Sequence, residues 1–141
     1  MDDDLHRLGQ DLVTTSARVV RWVPKSDGFN LSLAAVRILA RLNDDGPTRI
    51  SDLAIAERCS QPTITNHVKR LEAAGLVERS TDPTDARAWL IDLTERGRQR
   101  LVEIRAQLGT NIEPMLEMLS AHDRKALRAG LEFMRRMVAA R

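Results

Sequence analysis

The stretch that decides the fold is "SQPTITNHVKRLEAAGLVER", residues 60–79. Ser60 is a favourable helix N-cap, and Pro62 is tolerated in the first helical turn. Gly75 is typical of the position just beyond a helix end. Apolar residues recur between them at the spacing of one buried helix face: Ile64, Val68 and Leu71. These signals predict a helix over residues 60–74 with one buried face.

The sequence on either side of this helix predicts a helix-turn-helix followed by a hairpin. Ser51 is expected to cap a short helix, "DLAIAERC" (residues 52–59), and "CSQP" supplies a tight turn between the two helices. Residues 76–94 show partial alternation of apolar and polar positions around the turn-rich segment "TDPTDAR". They predict a β-hairpin with a longer loop, which is a wing. Residues 48–50, "TRI", are expected to form a lone strand.

Both ends of the chain predict amphipathic helices. Residues 2–23 carry an apolar stripe, a loop is expected at "VPKSDGFN" (residues 23–30), and Ser32 caps a helix that ends near residue 43. Thr94 caps a long helix that Pro114 is expected to kink or interrupt. Ser120 and Asp123 are predicted to form a capping box at the start of the last helix.

The predicted fold class is mainly α with a small β wing (α+β). A winged helix-turn-helix domain is expected over residues 32–97, and a helical dimerisation region over 1–31 and 98–141. The terminal stripes cannot all be buried on one small domain, whereas pairing across a two-fold axis would cover them. The alternative is a helical subdomain that folds back on its own chain.

Composition excludes several classes of function. The 141 residues suit one soluble domain, with 43% hydrophobic and 30% charged residues and a net charge of +2. The single cysteine, Cys59, excludes an internal disulfide and suits a reducing cytoplasm. No apolar run approaches the roughly 20 residues of a membrane span, and the first residues, "MDDDLH", are not a signal peptide. Dispersed histidines and the absence of a nucleophile or phosphate-loop motif predict no catalysis, metal or cofactor.

The polar side of the 60–74 helix suits contact with double-stranded DNA. The major groove admits a helix, amides can pair with adenine, and basic side chains neutralise phosphates. The candidate contacts on this helix are Ser60, Gln61, Thr63, Thr65, Asn66, His67, Lys69 and Arg70. The alternative is an ordinary solvated helix surface with a cap.

The hairpin adds further candidate DNA contacts. Arg79 is expected at its base and Arg87 at its tip, where an arginine can enter a narrow minor groove. Asp85 is expected to accept a hydrogen bond from Arg87 and hold it outward. The alternative is a solvent-exposed arginine in a turn, paired with Asp85.

Residues 51–97 closely resemble the MarR family of winged helix-turn-helix transcription factors. The matching segments are "SDLA", the 60–79 stretch, "DPTDAR" and "LTERG", in register. The resemblance implies a homodimer that binds pseudo-palindromic operators, usually as a repressor and often released by a small ligand or by oxidation. Ala86 departs from the family's frequent D-P-x-D-R-R wing tip, which implies the loss of one phosphate contact.

The resemblance also implies a possible small-molecule effector. Arg18, Arg21, Trp22 and Phe29 fall near the region where family ligands lodge, and a tryptophan beside basic groups can hold an aromatic carboxylate. The favoured alternative is that Trp22 and Phe29 are core residues and the arginines are surface groups. Cys59 lies before the 60–74 helix, where the positive helix end can lower a thiol pKa, but a buried packing thiol is favoured.

The predicted function is therefore a dimeric, sequence-specific DNA-binding regulator, with DNA, a second copy of the chain and a small aromatic or phenolic ligand as its partners. A winged-helix module that binds proteins and no longer touches DNA is the alternative.

Overall fold

A computed structural model describes residues 3–23 and 30–140. Its elements confirm the predicted fold class, because helices dominate and the only sheet of the described residues has three short antiparallel strands. In chain order the elements are α1 (Asp3–Trp22), α2 (Leu33–Asp45), β1 (Thr48–Arg49), α3 (Ile50–Glu57), α4 (Gln61–Ala73), β2 (Val77–Asp82), β3 (Asp85–Leu93), α5 (Glu95–Glu117) and α6 (Ala121–Ala139).

The chain divides into two compact units, Asp27–Ala106 and Met1–Ser26 with Gln107–Arg141. The first contains α2 to β3 and the first half of α5, and we call it the winged unit. Its core is built from aliphatic side chains of both the helices and the sheet. The largest fully buried side chains are Ile38, Leu39, Leu42, Leu53, Ile64, Leu71, Ile91, Leu93, Leu101, Ile104 and Val68.

The sheet corrects two predictions. The strand order is β1-β3-β2, so the segment expected to be a lone strand pairs with β3, with Thr48 opposite Ile91. The hairpin loop is shorter than predicted, because β2 and β3 extend through most of "TDPTDAR" and leave Pro83 and Thr84 between them. Cross-strand pairing extends the hairpin outward to Asp82 and Asp85. We call residues 77–93 the wing.

The start of α3 differs from the prediction. Ser51 is not the cap, because α3 begins at Ile50 and its N-cap residue is Arg49, which makes no side-chain capping bond. The extended backbone of Arg49 belongs to β1, so strand pairing leads directly into the helix. The helix ends before the predicted residue 59, at Glu57, and Arg58 adopts a left-handed conformation with φ 53°.

Replacing Arg58 with glycine is expected to stabilise the protein. An L-residue in the left-handed region is strained by about 1 kcal/mol, and glycine is not. The guanidinium adds no compensating bond within the described residues. Chemical denaturation should therefore show Arg58→Gly about 1 kcal/mol more stable than wild type. Arg58→Ala is the matched control, because it removes the side chain and keeps the strained φ. Equal stability of the two variants would contradict this explanation.

The end of α4 follows the prediction closely. Gly75 has φ 73°, its N–H donates to the Glu72 carbonyl oxygen at 2.9 Å, and the N–H of Leu76 donates to the Leu71 carbonyl oxygen at 2.9 Å. This pair of bonds is a Schellman motif, which requires the left-handed conformation that glycine adopts without strain. The motif reverses the chain from α4 into β2.

A second junction joins the sheet to α5. The Thr94 hydroxyl accepts from the N–H of Gly97 at 3.0 Å, which confirms Thr94 as the cap, and it donates to the Gly75 carbonyl oxygen at 2.6 Å. Gly97 is buried, and a Cβ at this position would lie 2.0 Å from the Leu76 carbonyl oxygen. The close backbone approach explains physically why "LTERG" carries a glycine here.

An ion-pair cluster links α2 to α3. The Glu57 side chain is only 7% exposed, and its two oxygens accept from Arg41 Nε at 2.8 Å and from Arg37 at 3.0 Å. The hydrogen bond to Glu57 is the main cause that raises the pKa of Arg41 above its ordinary value. The nearly buried carboxylate is paired on both oxygens, as a buried charge requires.

The other unit, formed by both chain ends, buries little of its apolar surface. Neither α1 nor α6 contains a fully buried residue. Large apolar side chains of both helices are exposed, including Leu5, Leu8, Val19, Leu127, Leu131 and Phe133. The Ser120 hydroxyl caps α6 at the N–H of Asp123 (3.0 Å), but the carboxylate of Asp123 accepts from that hydroxyl and completes no reciprocal capping box. Pro114 does not interrupt α5.

Candidate nucleic-acid interface

Helix α4 separates a buried face from a polar face, as predicted. Ile64, Val68 and Leu71 are each at most 1% exposed and fix the helix against the core. Ser60 is the N-cap: its hydroxyl oxygen accepts from the N–H of Thr63 at 3.3 Å and lies 2.8 Å from the Thr63 hydroxyl. The cap and the buried row hold the first turn of α4 in one orientation.

The structure brings all eight predicted helix residues together on or beside the polar side of α4. Six are exposed: Ser60, Gln61, Thr63, Asn66, Lys69 and Arg70. Thr65 and His67 are half-buried at the edges of this face. Within the described ranges, the side chains of four members have no protein partner: Gln61, Asn66, Lys69 and Arg70. Their donors and acceptors are therefore available to an external ligand.

The chemistry of this face is that of a major-groove reader. Asn66 and Gln61 each offer an amide that can both donate and accept, which suits the N6 and N7 atoms of adenine. Lys69 and Arg70 lie one turn further along, and their exposed positive charges are of the kind that neutralises phosphates. The positive end of the helix dipole also favours an anion at the N-terminus of α4, although Pro62 has no N–H and the N–H of Thr63 is bonded to Ser60.

The wing tip differs in one detail from the prediction. Asp85 does not hold the guanidinium of Arg87, because its carboxylate accepts from the main-chain N–H of Arg87 at 3.0 Å. The Arg87 guanidinium is exposed and makes no bond to the residues that the structure describes. Asp85 therefore shapes the backbone of the tip and leaves the arginine side chain unpaired.

Arg79 is not a free cation at the base of the wing. Its Nε donates to Glu72 of α4 at 2.9 Å, and its guanidinium carbon lies 5.7 Å from the ring centroid of Trp89 in β3. The side chain that was predicted to contact DNA is therefore already engaged by two protein residues, Glu72 and Trp89.

Sequence reasoning missed the residue that anchors the wing tip. Asp82 is buried, and its carboxylate accepts from Arg49 Nε at 2.6 Å and from both the N–H and the hydroxyl of Thr84 at 2.8 Å. Arg49 belongs to β1, so the clamp ties the tip to the far strand of the sheet. The composition of "TDPTDAR" indicated a turn, but nothing in the local sequence indicated the partner Arg49.

The clamp makes stability depend on acid pH. The Thr84 N–H, then its hydroxyl, and then Arg49 lower the pKa of Asp82 and outweigh its burial. The folded protein thus keeps this carboxylate charged at pH values where the unfolded chain, with a pKa of about 3.9, takes up a proton. The stabilisation is complete at about pH 5 and above, roughly one unit over the unfolded pKa, and is lost as pH falls through the folded pKa.

Asp82→Asn is expected to weaken this acid dependence. Urea denaturation between pH 2.5 and 6 should show that wild type loses stability in acid more steeply than the variant. The difference between their free energies of unfolding should be largest at about pH 5 and above. Asp44→Asn is the matched control, because it removes an exposed carboxylate in α2. An Asp82→Asn curve parallel to that of wild type would contradict the assigned role.

The residues proposed for an effector are only partly placed. Arg18, Arg21 and Trp22 lie exposed in α1, and Phe29 lies outside the described residues. The prediction that Trp22 is a core residue is wrong, since it is 54% exposed. Cys59 is half-buried and packs against the core of the winged unit. In the described ranges, no helix is long and apolar enough to cross a membrane, and no cluster of His, Cys, Asp or Glu could hold a metal.

A capped polar helix on a helix-turn-helix, followed by a two-stranded wing, defines the winged helix-turn-helix class. The MarR family model matches residues 31–89. YwhA of Bacillus subtilis, an uncharacterised HTH-type transcriptional regulator, is 32% identical over 127 residues, which cover 88% of this chain and 86% of that protein. The chain belongs to the MarR family of transcriptional regulators.

Other proteins extend the likeness. The transcriptional repressor NicR of Pseudomonas putida is 42% identical over 59 residues, 42% of this chain and 37% of NicR. The crystal structure of RV1404 from Mycobacterium tuberculosis has a TM-score of 0.74 at 24% identity and covers 99% of this chain and 97% of that one. An S. aureus MepR mutant bound to an oligodeoxyribonucleotide has a TM-score of 0.63 at 20% identity, covering 98% of each chain. The two structures share the fold with this chain.

Proposed function

We propose that this MarR-family protein is a homodimeric, sequence-specific DNA-binding repressor that acts in the cytoplasm. The observation that carries the proposal is the polar face of α4, whose amides and cations have no protein partner in the described residues, together with the exposed, unpaired guanidinium of Arg87 on the wing. A structural neighbour, MepR, is bound to an oligodeoxyribonucleotide, and a relative, NicR, is a repressor. Both support the proposal.

In this proposal α4 enters the major groove and the wing reaches the adjacent minor groove. The eight polar residues of this face contact base edges and phosphates, and Arg87 contacts the minor groove or its flanking phosphates. Asp85 contributes by shaping the tip backbone. The exposed side chain of Ala86 carries no charge, so the tip has one cation fewer than the family pattern.

The dimer is supported by the unit that contains both chain ends, which we propose as the dimerisation region. Its helices leave leucines such as Leu5, Leu127 and Leu131 between 42% and 63% exposed. Covering a leucine side chain contributes about 1.5–3 kcal/mol, so a second copy that covers both stripes would stabilise the unit substantially. Two-fold symmetry would present two copies of α4 to half-sites about one DNA turn apart.

The proposal includes an effector with an aromatic ring and a carboxylate. Trp22 and Arg18 are exposed and four residues apart on α1, so both can face one ligand by stacking and by ion pairing. A thermal shift with a panel of phenolic and aromatic acids tests this part. Wild type should be stabilised by at least one acid and Trp22→Ala by none, and no stabilisation of wild type would contradict it.

Mobility shifts on the DNA that flanks its own gene test DNA binding itself. The protein should shift one fragment specifically at moderate salt, and its affinity should fall steeply as salt rises, because bound phosphates release counterions. A protein that shifts no fragment above non-specific competitor would fit the alternative, a winged-helix module that binds other proteins. A reporter gene placed behind the same fragment in cells separates a repressor from an activator, because a repressor lowers its expression and an activator raises it.

A further inference from the structure

The side chain of Arg79 lies between the helix and the wing. It hydrogen-bonds Glu72 on the last turn of α4 at 2.9 Å, and its guanidinium covers the ring of Trp89 on β3. Only 26% of the Arg79 side chain is exposed, whereas Arg70 and Arg87 are exposed residues without bonds in the described part of the chain. Arg79 therefore already has protein partners where the neighbouring arginines have none.

The strand register explains why these three groups meet. Arg79 pairs with Ile91, and Thr81 pairs with Trp89, so Arg79 and Trp89 are diagonal neighbours on the same face of the wing. Arg79 belongs to β2 and Trp89 to β3. One guanidinium thus connects both strands of the wing to the end of α4 through Glu72.

We propose that Glu72, Arg79 and Trp89 form a brace that sets the angle of the wing against α4. Arg79 is then a positioning residue for DNA binding and not one of the contacts expected from the sequence. A planar guanidinium can pair with a carboxylate at its edge while its face lies on an aromatic ring, and lysine cannot do both. The inference rests on the proposed DNA-binding function.

The brace matters because the wing is a two-stranded extension beyond the core. Val77 and Leu93 are buried at its base, but Trp89 is 48% exposed and Arg87 is exposed. The Arg49–Asp82 clamp ties the tip to β1 within the sheet, and it does not reach α4. Among the residues that the structure describes, the brace is the polar contact that ties the wing to α4. Its loss should therefore displace Arg87 from the groove while α4 stays in place.

The first experiment measures the brace in the free protein. The chain has two tryptophans, so a Trp22→Phe background leaves Trp89 as the sole fluorophore. Glu72→Gln should release Arg79 from the ring and raise acrylamide quenching of Trp89 about twofold. Glu78→Gln is the matched control, because Glu78 precedes Arg79 on β2, is exposed and has no bond in the described residues. Equal quenching in the two variants would overturn the brace.

The second experiment measures DNA affinity against salt with Trp22 intact, on the fragment that wild type binds. Glu72→Gln and Arg79→Met should each weaken DNA binding about three- to tenfold without changing the salt slope. The double variant should bind DNA with about the affinity of the single variant that binds more weakly, because both substitutions remove the same contact. Glu78→Gln should bind as wild type does. A phosphate contact by Arg79 would instead lower the slope by about one per half-site for Arg79→Met, and Glu72→Gln would bind no more weakly than wild type. That second pattern would overturn the positioning role.

The two experiments separate failure of the inference from failure of the proposed function. If wild type binds no DNA specifically, the function fails and the positioning role falls with it, while quenching still shows whether the brace exists. If wild type binds DNA and Arg79 behaves as a phosphate contact, the function stands and the positioning role alone is overturned.

Discussion

Replacing Asn66 and Arg87 together with alanine is expected to abolish sequence-specific DNA binding. Asn66 offers its amide from the polar face of α4, and Arg87 offers an unpaired guanidinium from the wing. Each base or phosphate contact contributes about 1–3 kcal/mol, so the double variant should lose at least about thirtyfold in affinity at each half-site. Fluorescence anisotropy with the bound operator fragment measures this loss.

The single variants Asn66→Ala and Arg87→Ala should change DNA binding in different ways. Asn66→Ala should relax discrimination between operator and competitor DNA, because an amide reads a base edge. Arg87→Ala should weaken binding to operator and competitor DNA alike, and it should reduce the salt slope by about one per half-site if its main contact is phosphate. Asn43→Ala with Arg105→Ala is the matched control, since it removes one exposed amide and one exposed cation from other helices of the winged unit. Binding retained by Asn66→Ala/Arg87→Ala would favour a protein-binding module.

Gly97→Ala is expected to destabilise the protein by about 3 kcal/mol. The added Cβ would lie 2.0 Å from the Leu76 carbonyl oxygen and 3.2 Å from a Leu93 methyl carbon, and the backbone oxygen cannot move without disturbing the end of α4 and the start of β2. Overpacking of a rigid junction typically costs about 1–3 kcal/mol, and a backbone clash belongs at the upper end. Urea denaturation at one fixed protein concentration measures the change.

Gly109→Ala in the same helix is the matched control. No atom lies within 4 Å of a Cβ at this position, so alanine should stabilise α5 by about 0.5–1 kcal/mol through its higher helix propensity. The two substitutions are chemically identical and opposite in expected sign. If Gly97→Ala is as stable as Gly109→Ala, the close approach of α5 to Leu76 is not a constraint on the fold.

Local hydrogen-bond chemistry made much of the fold predictable. Ser32, Ser60, Thr94 and Ser120 are helix caps in the structure as expected, because a hydroxyl at such a position has a backbone N–H three residues away to bind. Gly75 was predictable for the same reason, since its left-handed conformation is a local property. The polar face of α4 followed from helix periodicity alone.

Contacts between distant residues were not predictable. The Arg49–Asp82 clamp joins residues that are 33 positions apart in the sequence, and Glu57 binds Arg41 across 16 positions. No local sequence pattern predicts either pair. Strand pairing carried β2 and β3 into a segment whose composition indicates a loop. It also gave Arg49, not Ser51, the position before α3.

The environment of Arg79 shows the same limit within the candidate site. A basic residue beside a predicted hairpin indicates a phosphate contact, and the sequence did not show that Glu72 and Trp89 contact this guanidinium, on which the proposed positioning role rests. Charge type is visible in a sequence, but whether that charge is already paired depends on the tertiary fold.

Hydroxyl-radical footprinting of the wild-type protein on its bound fragment tests the central claim most directly. We predict two symmetric protected patches whose centres lie about one helical turn, roughly 10 base pairs, apart, each with an outer protection from the wing. A single patch, or uniform weak protection along the fragment, would contradict a two-fold pair of α4 helices in successive grooves.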